Sequence, residues 1–229
     1  MSYDPHAAGR LVRYGPKSGA ARRAVVALHG RGSDGEDMAG LVESLGFPDM
    51  AVFAPEAAGR SWWPTSFLAP TAEIGPYVTS ALSAVDRAMA DAAAEGYAES
   101  DIVVIGFSQG GCLALEWVAR TGRPVGAVFG LSAGLLGTAD ADGPAEEALY
   151  GHRPKRFDYT ARLGGIPVRV SVHEQDPHIP LKRARESAEV LARLGADAKL
   201  VVEPGRGHAL TAADVSALRA ALQPQATNP

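Results

Sequence analysis

Cysteine is nearly absent from this chain. The single residue, Cys112, excludes an internal disulfide and any fold stapled by bridges. Long apolar runs are missing as well: none approaches the ~20 residues that a membrane-spanning helix needs. An excess of positive charge is lacking. The chain carries 22 Lys and Arg against 26 Asp and Glu, a net charge of −4, which gives no electrostatic footing for nucleic acid. The first residues, Met1-Ser2-Tyr3-Asp4-Pro5-His6, have none of the basic-then-apolar layout of a signal peptide. Together these absences predict a soluble, cytoplasmic protein. Internal repeats and low-complexity blocks are not visible either.

What is present is enough for a core. At 229 residues and 46% hydrophobic content, the chain fits one α/β domain spanning 1–229, with 223–229 reading as a frayed tail. An edge strand is expected at 8–15, followed by a turn cluster over Gly15 to Ala21. Short apolar runs at 23–28, 50–54, 101–105, 125–131, 166–172 and 198–202 read as strands. Helical spacing appears at 36–45, 77–94, 112–120, 181–194 and 212–222. Strands alternating with helices predict a mostly parallel sheet of about seven strands with helices on both faces. In such sheets ligands bind beyond the C-terminal ends of the strands. Two long irregular stretches, 55–75 and 133–165 (with a short helix expected near 145–150), are the expected substrate walls or lid.

One stretch carries chemistry more than any other: Gly106-Phe107-Ser108-Gln109-Gly110-Gly111. It lies between an apolar strand and a helix, the context in which Gly-x-Ser-x-Gly makes a nucleophile elbow. A serine hydroxyl at neutral pH is a poor nucleophile and needs a base, which in turn needs an orienting acid. In elbow folds the chain order is serine, acid, histidine. Downstream of Ser108, Asp176 follows the 166–172 strand and His208 follows the last one. His6, His29, His152, His173 and His178 compete for the base role, and Glu174, Asp158 and Asp197 for the acid; order and strand-end position favour His208 and Asp176. His178 is expected to line the entrance.

The developing oxyanion needs two N–H donors. The backbone amide of Gln109, at the start of a helix, is one; Arg31, in His29-Gly30-Arg31-Gly32, is the other. That loop has neither the P-loop nor the dinucleotide spacing. His173-Glu174 with His178 has the wrong spacing for a zinc helix, and Pro177 interrupts it, so no metal and no cofactor are expected. Cys112 reads as a small buried helix residue. Trp62, Trp63, Phe67 and Leu68, in the loop after the 50–54 strand, suit an apolar acyl or aryl group, with Leu135 and Leu136 as the opposite wall.

With these residues in place, the chain resembles the phospholipase/carboxylesterase family of α/β-hydrolases, which includes acyl-protein thioesterase-like enzymes. The matching stretches are Leu28 to Asp37, Ala54-Pro55-Glu56-Ala57, Gly106 to Gly111, Asp176 to Pro180 and Gly205-Arg206-Gly207-His208. The resemblance implies the α/β-hydrolase fold, Ser108, Asp176 and His208 as a triad, and the Arg31 and Gln109 amides as an oxyanion hole. Two departures bear on the substrate. Arg31 is charged where such enzymes often carry an apolar residue. The segment 137–160 is longer than the usual link and holds Arg153, Lys155 and Arg156. A small-molecule ester, smaller or anionic, is therefore the expected substrate of a serine carboxylic-ester hydrolase. A thioesterase or lysophospholipase using the same residues is the near alternative, and a non-catalytic ligand-binding protein on the same scaffold is the reading from another class. A homodimer is left open.

Overall fold

The structure is a computed structural model, and it describes residues 3–16, 23–47 and 50–223. Most of the turn cluster read after Gly15, and the tail beyond residue 223, lie outside the described residues. Seven strands make one sheet: β1 (Leu11–Tyr14), β2 (Ala24–Leu28), β3 (Ala51–Pro55), β4 (Ile102–Phe107), β5 (Ala127–Leu131), β8 (Pro167–His173) and β9 (Asp197–Glu203). Their spatial order is β1-β3-β2-β4-β5-β8-β9. β1 runs antiparallel to β3, and every other pair is parallel. Every residue of β2, β3 and β5 is buried. This is why these runs are continuously apolar and do not alternate: a central parallel strand is covered on both faces.

Both faces are indeed covered. Ala24, Val26 and Leu28 of β2 point into one core with α2 (Thr71–Ala94), α3 (Gln109–Thr121) and α4 (Leu181–Arg193). Val25 and Ala27 point into the other, with α1 (Gly35–Ser44) and α5 (Ala212–Leu222). The period of two along the strand thus divides the apolar residues between two layers. Helix ends are set locally. The Asp34 carboxylate accepts from the Asp37 amide at the start of α1, Thr211 and Asp214 cap α5 reciprocally, and Gly122 ends α3 in the left-handed conformation at φ 63°.

Two expectations change. α2 begins at Thr71, not at 77, and contains Pro76. The apolar spacing alone places the start later, and a proline inside a helix removes one backbone bond and costs ~3 kcal/mol. The first turn is held by tertiary contacts: Ile74 is buried in the same core as Val78, and the Thr71 amide donates to the Asp140 carboxylate at 3.0 Å. The 133–165 stretch is also more ordered than it reads. Its middle folds into a small arm, where β6 (Ala139–Asp140) pairs antiparallel with β7 (Lys155–Arg156) and the expected helix shrinks to a single 3-10 turn at Glu147–Leu149. The arm is pinned to the body by the buried Lys155 ammonium, which donates to the Ala69 carbonyl at 2.6 Å and to Asp140, and by the ion pair of Lys182 with Glu146.

Candidate active site

Ser108 sits between β4 and α3 at φ 53° and ψ −117°. A side chain rarely adopts that region, and holding it there costs ~1–3 kcal/mol. The neighbourhood enforces it. The Ser108 amide donates to the Leu131 carbonyl at 2.8 Å, and the Ser108 carbonyl accepts from the Cys112 amide at 2.9 Å. The flanking glycines are demanded by close approach. A Cβ on Gly106 would lie 2.1 Å from the Gly110 carbonyl oxygen, and one on Gly110 would lie 2.1 Å from that of Leu28. Helix α3 therefore abuts both β4 and the end of β2, and its N-terminus, with the hydroxyl at its tip, opens beyond the strand ends.

The loops after β8 and β9 bring two more groups to that hydroxyl. His208 Nε2 lies 2.8 Å from Ser108 Oγ. His208 Nδ1 lies 3.0 and 2.8 Å from the two carboxylate oxygens of Asp176. Asp176 is itself buried, and its Oδ1 accepts from the amides of His178 at 2.8 Å and Ile179 at 2.9 Å. Burial alone would raise this carboxyl, but the bonds from His208 and the two amides outweigh it and hold the group below its ordinary value. An ionised carboxylate only accepts, so Nδ1 carries the proton and Nε2 is the acceptor for the serine hydroxyl. The His178 ring meets the His208 ring edge to face at 4.8 Å, and Phe107 flanks it at 5.3 Å.

Arg31 and Gln109 border the same space, and the backbone amide of neither has an intramolecular acceptor among the described residues. Their side chains are occupied elsewhere. Gln109 accepts from the Trp62 amide at 2.8 Å through its carbonyl oxygen and donates to the Trp63 carbonyl at 2.8 Å. Arg31 donates to the carbonyls of Pro64, at 2.6 Å, and Thr65. The two side chains thus hold the 61–65 loop in place. Gly32, at φ 82° with its amide on the Arg60 carbonyl at 2.8 Å, supplies the turn that Arg31 needs.

These groups open into a cavity of about 730 Å³. Trp63, Phe67, Leu68 and His178 line it, in the positions read from the sequence. Trp62 and Leu135, also read as substrate-binding, are not in its wall. Trp62 is fully buried behind it, its indole N–H donating to the His29 carbonyl at 3.0 Å and its ring packed on His29 and His6. Adjacent residues in an extended loop face opposite ways, so only one of the two tryptophans can reach the cavity. Leu135 is buried, its amide on Ser187 at 2.8 Å and its carbonyl on Arg183. The opposite wall comes instead from the arm, as Tyr150 and His152. Nothing in their sequence context signals this, because the arm reaches the cavity only through its pairing and pinning. Cys112 forms part of the floor, and burial pushes its thiol up to about 12, leaving it protonated and unreactive. Among the described residues no group of three or more His, Cys, Asp or Glu could hold a metal ion.

The model of the phospholipase/carboxylesterase family matches residues 15–145. The chain belongs to that family. Members are hydrolases, and the seven-stranded, mostly parallel sheet described above is their α/β-hydrolase architecture. A phospholipase/carboxylesterase from Dyadobacter fermentans is 32% identical, covering 94% of this chain and 96% of that one with a TM-score of 0.81. The esterase PE8 is 27% identical over 93% of this chain and 95% of its own, at a TM-score of 0.67. Acyl-protein thioesterase 1 of Gibberella zeae is 30% identical over 130 residues, 57% of this chain. The match spans half the length of that curated relative. No helix among the described residues is long and apolar enough to cross a membrane.

Proposed function

We propose that this member of the family is a serine carboxylic-ester hydrolase acting through an acyl-enzyme. The observation that carries the reading is the continuous hydrogen-bonded chain from Ser108 Oγ through His208 to Asp176, opening on a cavity of about 730 Å³. His208 Nε2 takes the hydroxyl proton as Ser108 Oγ attacks the ester carbonyl carbon. The carbonyl oxygen gains the negative charge and is met by the Arg31 and Gln109 amides, the latter at the N-terminus of α3 where the helix dipole adds to the attraction. The tetrahedral intermediate collapses, the ester C–O bond breaks, and His208 returns its proton to the leaving alkoxide. Water then enters and gives a proton to His208 as its oxygen bonds to the acyl carbon; the bond from that carbon to Ser108 Oγ breaks, His208 returns the proton to Ser108 Oγ, and the acid is released. Asp176 stays ionised throughout and stabilises the imidazolium.

A short-chain 4-nitrophenyl ester and a fluorophosphonate probe test the reading. Wild type is expected to turn over the ester and take the label. Ser108→Ala is expected to lose both, with kcat falling by at least ~10³-fold, while retaining its melting temperature. Equal turnover in both proteins would remove the assignment. The resemblance to acyl-protein thioesterase 1 supports a second reading, an acyl-thioesterase on the same residues. Matched thioester and oxygen-ester pairs separate the two by their kcat/KM ratio.

A further inference from the structure

The wall of the reaction cavity has an unusual charge. The whole chain is net −4, with 26 acidic residues, yet among the described residues no aspartate or glutamate lines the cavity. The Asp176 carboxylate is buried behind His208. The lining instead includes Arg31, His152, His178 and His208, and the Arg31 guanidinium is bonded to the carbonyls of Pro64 and Thr65, which line the cavity as well. Imidazoles offer an N–H donor in either protonation state.

Arg31 is the decisive member. It has no carboxylate within ion-pair distance among the described residues, in contrast to Arg10, Arg60 and Arg123. Two of its N–H groups are held by the neutral carbonyls of Pro64 and Thr65. These bonds orient the guanidinium without neutralising it, and three of its five N–H donors remain. A cation fixed in direction before binding loses little entropy when an anion arrives. The basic residues of the 137–160 segment do not share this role. Lys155 is buried on Ala69 and Asp140, Arg156 pairs with Asp158 at 2.9 Å, and none of Arg153, Lys155 and Arg156 lines the cavity.

We infer that the ester taken by this site carries a carboxylate of its own, bound at the Arg31 guanidinium, as in a half-ester of a dicarboxylic acid. This inference rests on the hydrolase reading and names the substrate class within it. The Arg31 backbone amide borders the place where the scissile carbonyl oxygen would sit, so the guanidinium lies one arginine side chain away from the reaction. The substrate's carboxylate is therefore separated from the scissile carbonyl by a short aliphatic spacer, which runs between Arg31 and the apolar Phe67 and Leu68. Hydrolysis adds water across the acyl C–O bond and releases the dicarboxylic acid and the alcohol.

The test is a matched pair, 4-nitrophenyl hydrogen adipate and 4-nitrophenyl hexanoate, which differ only by a terminal carboxylate in place of a methyl group. Each rate is corrected for reaction without enzyme. Wild type is expected to favour the adipate by tenfold or more in kcat/KM, mainly through KM. The preference is expected to fall towards unity in Arg31→Gln and in 0.5 M salt. In wild type, free adipate is expected to inhibit hexanoate turnover competitively, and hexanamide to do so at least tenfold more weakly. That comparison stands even if Arg31→Gln loosens the 61–65 loop. Ser108-dependent turnover with equal or greater preference for the hexanoate would overturn the inference and leave the hydrolase reading intact. No turnover of either ester and no fluorophosphonate labelling would overturn both.

Discussion

Gln109 shows how one residue serves two unrelated ends. Its backbone amide is the proposed oxyanion donor, while its side-chain amide is bonded to the main chain of Trp62 and Trp63. Gln109→Ala leaves the backbone donor in place but strips two buried backbone groups of their partners. The expected cost is about 2 kcal/mol of unfolding free energy, read from the shift of a urea transition. Because Trp63, Pro64 and Thr65 of the 61–65 loop line the cavity, KM should rise more than kcat falls. An unchanged transition midpoint would show that the wall is held without this side chain. His29, by contrast, has no chemistry to offer. It is buried, burial depresses its basicity, and its ring nitrogens serve the Ala57 amide at 3.0 Å and the Gly30 carbonyl at 2.8 Å.

At the scale of elements, the arm between β5 and β8 does most to distinguish this site. Tyr150 stands at its tip with φ 54°, and its hydroxyl donates to the Asp176 main-chain carbonyl. Burial and the neighbouring Asp176 charge raise the phenol, so it remains a donor across the neutral range. The loop carrying the proposed acid is therefore braced by a residue 26 positions upstream in the chain. Tyr150→Phe removes one neutral hydrogen bond, for which a loss of about fivefold in kcat is expected, equivalent to ~1 kcal/mol. KM for a neutral ester should move by less, and the melting temperature should hold. A fall in melting temperature with kcat unchanged would assign Tyr150 to stability alone.

At the scale of the whole molecule, acid sensitivity follows from carboxyls that are ionised because they are bonded. Burial works to raise Asp140, but Lys155 and Thr71 more than offset it, and the group titrates below its ordinary value; Asp176 behaves alike. A carboxyl depressed by folding contributes stability that is full above its unfolded pKa of ~3.9 and disappears as pH falls through the lower folded value. The melting temperature should therefore drop between about pH 5 and pH 3, by roughly 3 °C for each kcal/mol lost in a chain of this size. Asp140→Asn should start lower at pH 7 and fall less steeply. Comparing the two slopes isolates Asp140 from Glu116, whose carboxyl is raised by complete burial despite Arg120 and Tyr159 and contributes with the opposite sign. Parallel slopes would show that Asp140 gains nothing from its partners.

The alternation of apolar runs with amphipathic stretches is sufficient by itself to imply the layered sheet and its two helical faces, because burial on both sides demands continuous apolar strands. The elbow was legible for a similar reason: its glycines answer to contacts that any such turn must make. Ser108, Asp176 and His208 could be named together because strand ends in a parallel sheet share one rim. The local pattern could not show which residues face the cavity. Trp62 and Trp63 are neighbours of one type, and only the packing of the loop on His29 sends one inward and leaves the other in the wall. The apolar spacing places the helix start at 77, whereas tertiary burial of Ile74 carries the helix back through Pro76 to Thr71. Tyr150 and His152 reach the site through the pairing of the arm on itself and the buried Lys155, whose bond to the Ala69 carbonyl joins residues 86 positions apart. Periodicity reports what each element must bury, and the spatial meeting of distant segments decides what remains for a substrate to touch.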